Sequence, residues 1–254
     1  MSLIKVERKD LVQWIILNRP ERLNALNREL MRKFVEELER SGKDPGVEII
    51  VISGEGKIFS AGIDLQEIAR AEKVEEVEDI FIHLERMFKT LLDVPKITIL
   101  ALNGDAYGGG AEMIWAADIV VSVEDAKIGW AEARWGLVPP IAIGLGSFVL
   151  GFSRAALTAY TAGSITAKEA YNLGLISVLT SRDRLRESVE EVANNILINT
   201  SPEARESIRN MIRLVKKSLF VEFGVSELKR LSKTGELIKR ARDFIEKKQI
   251  PRYK

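Results

Sequence analysis

The stretch from Asn103 to Glu112 reads Asn-Gly-Asp-Ala-Tyr-Gly-Gly-Gly-Ala-Glu and joins two apolar segments. The segment before it, Ile97 to Leu102, has the length of a buried strand, and the apolar residues Met113 to Ala117 indicate a buried helix. A helix that begins here presents free N–H groups and the positive end of its dipole, which suit a developing negative charge on oxygen. A glycine-lined turn beneath close packing is the structural alternative, and the stretch alone leaves both open.

The amino-acid composition limits which kinds of partner and which kinds of catalytic chemistry we expect for this protein. The chain has 254 residues, 46% of them hydrophobic, which is enough for a sizeable core. Its 38 basic and 37 acidic residues leave a net charge of +1, so no global field favours nucleic acid or an anionic membrane. Cysteine is absent and His83 is the only histidine, which excludes thiolate chemistry and histidine-based metal clusters. We interpret His83 as structural.

The chain begins without the apolar core of a signal peptide, and no apolar run approaches the roughly 18 to 20 residues that span a bilayer. We therefore expect a cytoplasmic protein that does not contact membranes. The sequence also has no Gly-Lys-Ser/Thr phosphate loop, no Gly-x-Gly-x-x-Gly and no Gly-x-Ser-x-Gly pattern. Its chemistry must come from carboxylates and backbone donors.

Strand and helix units repeat along the chain and are followed by a helical tail. The runs Leu3 to Lys9 and Leu11 to Asn18 predict a hairpin, Asn27 is a predicted N-cap, and Thr166 with Glu169 is a predicted capping box. The stretch from Gly136 to Gly146 is predicted to be irregular. After Asp183 the periodicity predicts helices over about 183–199, 202–217, 220–233 and 235–248. This order indicates an α/β core with a helical C-terminal appendage.

Two loops share one design, in which an apolar strand leads into a glycine-containing turn and then a helix. They lie at Phe59 to Asp64 and at Tyr107 to Glu112. If the N–H groups of Ile63 and Gly109 converge, they form a two-donor oxyanion hole, worth roughly 3 to 4 kcal/mol per donor. Two ordinary strand-to-helix turns would have the same spacing.

Two glutamates occur in unusually apolar company. Glu112 lies between Ala111 and Met113, and Glu132 lies between Ala131 and Ala133 with tryptophans nearby. A carboxylate in such surroundings loses solvation, so its pKa rises toward the range useful for general acid or base catalysis. For a single glutamate a solvated helix face is the commoner case, but two in such settings favour catalysis.

These residues resemble the crotonase superfamily, the enoyl-CoA hydratase and isomerase group, over nearly the whole chain. The resemblance implies a spiral of ββα units over residues 1–190 and a helical trimerisation region over residues 191–254, with a homotrimer or a hexamer of two stacked trimers. The motifs that carry it are Leu17-Asn18-Arg19-Pro20, Leu23-Asn24-Ala25-Leu26, Phe59 to Leu65, Asn103 to Glu112, Ala117-Asp118-Ile119 and Phe244 to Lys248.

The resemblance also implies an activity. The thioester carbonyl of a CoA substrate would lie between the N–H groups of Ile63 and Gly109, and Glu112 and Glu132 match the two catalytic glutamates of the family's hydratases. The expected reaction is reversible addition of water to a 2-enoyl-CoA in fatty acid metabolism, with Glu132 as the acid and Glu112 orienting or activating the water. No metal or separate cofactor is expected, since CoA is part of the substrate.

The resemblance further implies CoA contacts and includes two departures. Gln66 stands where many hydratases have a lysine, and Pro139-Pro140 with Ile141 and Ile143 replaces the usual Pro-Gly-Ala-Gly-Gly. Pro140 has no N–H to donate, and bulky Ile141 and Ile143 are expected to reshape the acyl pocket. The residues expected to contact CoA are Arg22, Leu23, Ala61, Asp64 and Leu65, with Phe244 and Lys247 closing the site.

Two alternatives stay open. An enoyl-CoA isomerase, or another crotonase reaction on a CoA thioester, would use one glutamate. A non-catalytic CoA- or RNA-binding protein of the same fold would use the basic run from Arg205 to Lys217, although a solvated helix face or a subunit contact explains that run more simply.

Overall fold

The computed structural model describes residues 2–219 and 222–250, and within them a six-stranded sheet forms the centre. Strands β1 (Ile4–Lys9) and β2 (Val12–Leu17) form the predicted antiparallel hairpin. From β2 onward the neighbours are parallel, in the order β1-β2-β3-β4-β6-β9. The remaining strands of this sheet are β3 (Ile49–Gly54), β4 (Ile97–Leu102), β6 (Ile119–Val123) and β9 (Val178–Thr180). Strands β2 and β3 are buried at every position, as expected for strands covered on both faces.

A second, three-stranded sheet lies beside the glycine run. Its order is β5-β7-β8, with β5 and β7 parallel and β7 and β8 antiparallel. The strands are β5 (Ala106–Tyr107), β7 (Lys127–Gly129) and β8 (Ser164–Thr166). Because β5 ends at Tyr107, this sheet fixes the backbone immediately before Gly108.

Helices cover both sheets, and several begin at the caps that the sequence predicts. The Asn27 side chain accepts a hydrogen bond from Leu30 N at 2.9 Å, and Thr166 and Glu169 form a capping box. The helices of the core are α1 (Arg28–Lys43), α2 (Leu65–Arg70), α3 (Val74–Asp93), α4 (Gly109–Ala116), α5 (Pro140–Gly144), α6 (Gly146–Leu150), α7 (Phe152–Thr161) and α8 (Ala167–Asn172).

The prediction of an irregular stretch from Gly136 to Gly146 was wrong for its second half, where α5 forms and α6 begins. Pro140 is the first residue of α5, a position at which the missing N–H costs no helical hydrogen bond. Proline there marks a helix start rather than a loop.

The C-terminal part is helical, as predicted, and it packs on the core of the same chain. Its helices are α9 (Leu185–Asn199), α10 (Pro202–Leu219), α11 (Glu222–Ser232) and α12 (Glu236–Lys247), while the predicted helix start at residue 220 lies outside the described residues. Helix α11 contacts α3 and α5, and α12 contacts α2 and the 3₁₀ helix Glu132–Trp135. The boundary that the sequence places after residue 190 falls inside α9. The mixed α/β core with a helical C-terminal region is confirmed.

Within the described part of the chain, none of the helices combines the length and the apolar character needed to cross a membrane.

Candidate active site

The two glycine-containing loops lie side by side. Tyr107 N donates to Ser60 O at 2.9 Å and Phe59 N donates to Asp105 O at 2.9 Å. Gly62 has a φ of +83°, and a Cβ there would lie 2.7 Å from Tyr107 O. Only glycine therefore permits this close approach.

Ile63 and Gly109 are brought together by this pairing. Ile63 Cγ1 lies 4.0 Å from the position that a Cβ on Gly109 would take. Gly109 is the first residue of α4, so its N–H has no partner in the helix, and within residues 2–219 and 222–250 neither backbone N–H donates to a carbonyl. Both residues line the same cavity. The arrangement leaves two neighbouring donors for an oxygen atom of a ligand.

The start of α4 depends on the glycines around Gly109. Gly108 precedes the helix with a φ of +52°, and its N–H donates to Gly129 O at 2.9 Å. At Gly110 a Cβ would lie 2.7 Å from the Ser60 Cβ. Gly108 and Gly110 thus provide backbone freedom and clearance.

A cavity of about 320 Å³ opens beside these donors and contains both glutamates. Its wall is mostly apolar and comes from α3, the 3₁₀ helix Glu132–Trp135 and the C-terminal helices. The described residues around it are Leu23, Ala61, Ile63, Leu65, Ile68, Phe81, Leu84, Phe88, Tyr107, Gly108, Gly109, Glu112, Ala131, Glu132, Trp135, Leu137, Val138, Pro140, Leu228, Leu237 and Phe244.

Glu112 is buried, with 1% of its surface exposed, and it is held by the start of α5. Its two carboxylate oxygens accept hydrogen bonds from Ile141 N at 2.9 Å and Ala142 N at 2.8 Å. Burial raises the pKa of Glu112 well above its ordinary value, the charge of Glu132 raises it further, and the two N–H donors oppose the rise. The backbone donors favour the ionised form of this carboxylate.

Glu132 has a different environment. Its Oε2 is buried and has no hydrogen-bond partner among the described residues. Its Oε1 lies 3.5 Å from the position that a Cβ on Gly108 would take, which places the carboxyl group beside the glycine run. Burial raises the pKa of Glu132 to about 7. Because its local environment supplies fewer donors than that of Glu112, we expect a proton shared by the pair to reside on Glu132.

The residues expected to contact CoA divide into two groups. Leu23, Ala61, Leu65 and Phe244 line the cavity. Three others lie elsewhere. The Asp64 side chain caps α2 and pairs with Arg19 at 2.6 Å, Arg22 is exposed, and Lys247 pairs with Asp243 outside the cavity.

Sequence reasoning missed the partners of Glu112 and part of the wall. The N–H groups of Ile141 and Ala142 bind Glu112, but neither Ile141 nor Ile143 is among the described residues that line the cavity, so the expected reshaping by their bulk is not observed. Trp135 meets Phe244 edge to face, with ring centroids 5.2 Å apart. Pro140, as a helix-start signal, could have revealed the donors, whereas no local pattern predicts the ring contact.

The basic run from Arg205 to Lys217 faces inward at Arg205 and Arg209, whereas Lys217 is half exposed. Arg205 and Arg209 are buried and pair with Glu48 at 3.2 Å and with Asp118 at 2.9 Å. The Arg213 guanidinium donates to Asp93 O, and Lys217 pairs with the Asp93 carboxylate. The basic side chains of this run are therefore engaged in contacts within the chain.

Within the described residues, no cluster of three or more His, Asp or Glu side chains is arranged to hold a metal ion.

Comparison with known proteins places this chain in a family. The sequence model described as enoyl-CoA hydratase/isomerase matches residues 7–252. The chain is 32% identical to 2,3-dehydroadipyl-CoA hydratase of Escherichia coli strain K12, covering 84% of this chain and 82% of that protein. It is 29% identical to 1,2-epoxyphenylacetyl-CoA isomerase of the same organism, covering 73% and 72%.

The fold has close structural counterparts. The crystal structure of an enoyl-CoA hydratase from Mycobacterium avium subsp. paratuberculosis K-10 superposes with a TM-score of 0.85 and 22% identity, covering 100% of this chain and 99% of that one. Together with the family match over nearly the whole length, this shows that the chain has the crotonase fold and belongs to the enoyl-CoA hydratase/isomerase family.

Proposed function

We propose that the protein is an enoyl-CoA hydratase that adds water reversibly to a 2-enoyl-CoA thioester. The observation that carries this proposal is that Glu112, which is buried, and Glu132, whose Oε2 is buried, share one apolar cavity beside two free backbone donors. A hydratase needs one group to accept a proton from water and another to deliver a proton to carbon, and the pair supplies both.

In the proposed reaction the thioester carbonyl accepts hydrogen bonds from Ile63 N–H and Gly109 N–H. The water oxygen attacks Cβ while Glu112, as the carboxylate, takes the proton that leaves the water. Glu132, as the acid, gives its proton to Cα. The backbone donors stabilise the enolate-like negative charge on the thioester oxygen between these events. Glu112 then releases its proton to solvent and Glu132 takes one up, which returns the pair to its starting state.

The cavity favours an uncharged aliphatic acyl chain of short or medium length. Phe81, Leu84 and Phe88 of α3 supply one side of the wall, and Leu228 and Leu237 supply another. The space of about 320 Å³ limits how much chain it holds. CoA would then extend past Leu23 and Ala61, and Arg22, Asp64 and Lys247 remain proposed contacts of its polar part. On this proposal CoA arrives with the substrate and no further cofactor takes part.

The test follows the loss of the conjugated enoyl thioester absorbance of crotonyl-CoA, with a screen of longer 2-enoyl-CoA substrates. We expect turnover by the wild type and product that carries a 3-hydroxyl group. Binding of the thioester without loss of absorbance would contradict hydration.

A second candidate is an enoyl-CoA isomerase that uses Glu132 alone. It is favoured by the two backbone bonds to Glu112, which engage both of its carboxylate oxygens and could make it structural. Product analysis with 3-hexenoyl-CoA separates the two, since an isomerase shifts the double bond and forms no hydroxyl. A non-catalytic CoA-binding protein would give neither product.

We also propose that the protein self-associates as a trimer or as two stacked trimers, through the C-terminal region over residues 191–254. Helix α10 exposes Met211, Leu214 and Val215, which are 69%, 72% and 57% exposed, and α7 exposes Phe152 and Tyr160. Apolar faces of this extent mark association surfaces in soluble proteins. On this proposal residues 1–190 carry the reacting groups, and Leu228, Leu237 and Phe244 complete the cavity wall.

A further inference from the structure

The side of helix α10 that faces the core carries cationic side chains. Two of them contact the carboxyl end of α3, a helix that lines the cavity. The Arg209 guanidinium, 4% exposed, donates to Leu92 O at 3.2 Å and to Val94 O at 3.4 Å. Arg213 donates to Asp93 O at 2.8 Å. These carbonyls end α3, the helix that supplies Phe81, Leu84 and Phe88 to the cavity.

One turn further along α10, Lys216 makes the same kind of contact with α4. Its ammonium group donates to Ala117 O and, at 3.3 Å, to Ala116 O, where α4 ends. The last carbonyls of a helix have no partner within the helix, and a cation there also interacts favourably with the helix dipole. Lys216 therefore satisfies two carbonyl groups that would otherwise be buried without a donor.

The other end of α4 carries the proposed chemistry. The helix has eight residues, Gly109 to Ala116, and every one of them is buried. At about 1.5 Å per residue its two ends are roughly 12 Å apart, with no loop between them to absorb a shift. A displacement at Ala116 is thus passed to Gly109 N–H and to the Glu112 carboxylate.

We propose that Lys216 is a positioning residue for the active site, holding the carboxyl end of α4 so that Gly109 and Glu112 meet the thioester correctly. This inference rests on the roles of Gly109 and Glu112 in the proposed function. It assigns one cation of the basic run, Lys216, to alignment of the site.

The surroundings of Lys216 support a charged donor at neutral pH. Burial lowers the pKa of Lys216 to about 8, the nearby Asp118 carboxylate opposes this decrease, and Arg209 adds to it. Arg209 is itself fixed by its ion pair with Asp118, which also accepts a hydrogen bond from Thr98 N at 2.9 Å. The lysine is thus held in a buried polar cluster between α10, α4 and the sheet.

The experiment compares Lys216→Met, which keeps the length but removes the donors, with Lys216→Arg, which keeps a cation. Lys217→Met is the matched control, because Lys217 is the next residue of α10 and is half exposed in an ion pair with Asp93. The measurements are kcat and KM with crotonyl-CoA, the enolate absorbance of bound acetoacetyl-CoA, and the urea midpoint of unfolding.

We expect Lys216→Met to lower kcat about tenfold, as for a small misplacement of reacting groups, with KM changed by less than about twofold. The enolate absorbance should fall in parallel, because it reports the oxyanion donors directly. Lys216→Arg should recover most of both signals, and Lys217→Met should match the wild type in both.

The inference would be overturned if the Lys216→Met variant folds and keeps the kcat and the enolate absorbance of the wild type. It would also be overturned if Lys216→Met and Lys217→Met lower these two signals equally. If the wild type enolises acetoacetyl-CoA but does not hydrate crotonyl-CoA, the hydratase proposal fails while the enolate signal still tests Lys216. If the wild type neither enolises acetoacetyl-CoA nor hydrates crotonyl-CoA, the proposed roles of Gly109 and Glu112 are wrong, and the inference about Lys216 is wrong with them.

Discussion

Ala142 N donates to Glu112 Oε1 at 2.8 Å, so a short helix that begins at Pro140 stabilises a carboxylate from a helix that lies 30 positions earlier. Ile141 N binds the other oxygen at 2.9 Å. This pair of donors distinguishes Glu112 from Glu132, whose buried Oε2 has no partner in the described part of the chain. On the proposed function, this difference suits Glu112 to accept a proton and Glu132 to donate one.

The first prediction concerns Glu112→Gln. The amide cannot take a proton from water. Its NH₂ group also faces one of the two backbone N–H groups that donate to the carboxylate, so two donors oppose each other. We expect kcat for crotonyl-CoA hydration to fall by about 100-fold or more. If Glu112 is only structural, urea unfolding will instead show a loss of stability, while steady-state assays will give a kcat close to that of the wild type.

The second prediction concerns the pH dependence of activity. Glu132 must be protonated to act as the acid, and its pKa is raised to about 7. The proportion of active enzyme therefore falls as pH rises through about 7, and kcat/KM for hydration should decrease over that range. A profile measured from pH 5 to 9 checks this, and a flat profile between pH 6 and 8 would argue against Glu132 as the acid.

A third prediction concerns stability. The pKa of Glu132 is about 7 in the folded protein and near the ordinary 4.5 in the unfolded chain. The folded state then binds more protons between these values, so this group's contribution to stability declines as pH rises from about 4.5 to 7. Glu132→Gln should raise the free energy of unfolding at pH 8 by on the order of 2 kcal/mol while abolishing most activity. Urea unfolding at pH 5 and pH 8 measures the difference, and Glu55→Gln, at an exposed ion pair with Lys5, is the control.

The fourth prediction tests the contact between the loops. In Gly62→Ala the new Cβ combines a φ of +83° with a distance of 2.7 Å to Tyr107 O, so it must push the two loops apart. Gly151→Ala is the matched control, because Gly151 has a φ of +75° but no atom within 4 Å of the added Cβ. The control should cost about 1 to 3 kcal/mol of backbone strain. Gly62→Ala should cost more and should also lower kcat, as thermal unfolding and crotonyl-CoA turnover would show.

The fifth prediction concerns association. Met211→Glu combined with Leu214→Glu places two charges on the apolar outer face of α10 and should convert the assembly to monomer. Ile82→Glu, at another exposed apolar residue, 51% exposed on α3, should leave the mass unchanged. Sedimentation equilibrium gives the masses, and a monomeric wild type would contradict the proposed association.

Much of the architecture follows from local patterns in the sequence. The hairpin, the Asn27 cap and the Thr166–Glu169 capping box appear where alternation and cap chemistry place them. The motifs around Gly109 identify the family, which the comparisons confirm. These features depend on residues close together in the sequence.

The unpredicted features depend on contacts between distant segments. The binding of Glu112 by Ile141 N–H, the edge-to-face contact of Trp135 with Phe244 and the inward turn of the basic side chains of α10 each join residues that no local pattern relates. Charge periodicity shows which side of α10 is basic, but it does not show which side faces the core.

The cavity wall has a consequence for how this enzyme can diversify. The chemical groups lie before residue 133, whereas Leu228, Leu237 and Phe244 reach the same cavity from the last part of the chain. On the proposed function, substitutions at these three wall positions of α11 and α12 alter which acyl groups fit while Glu112 and Glu132 stay in place. Substrate range can then change without a change of reaction type.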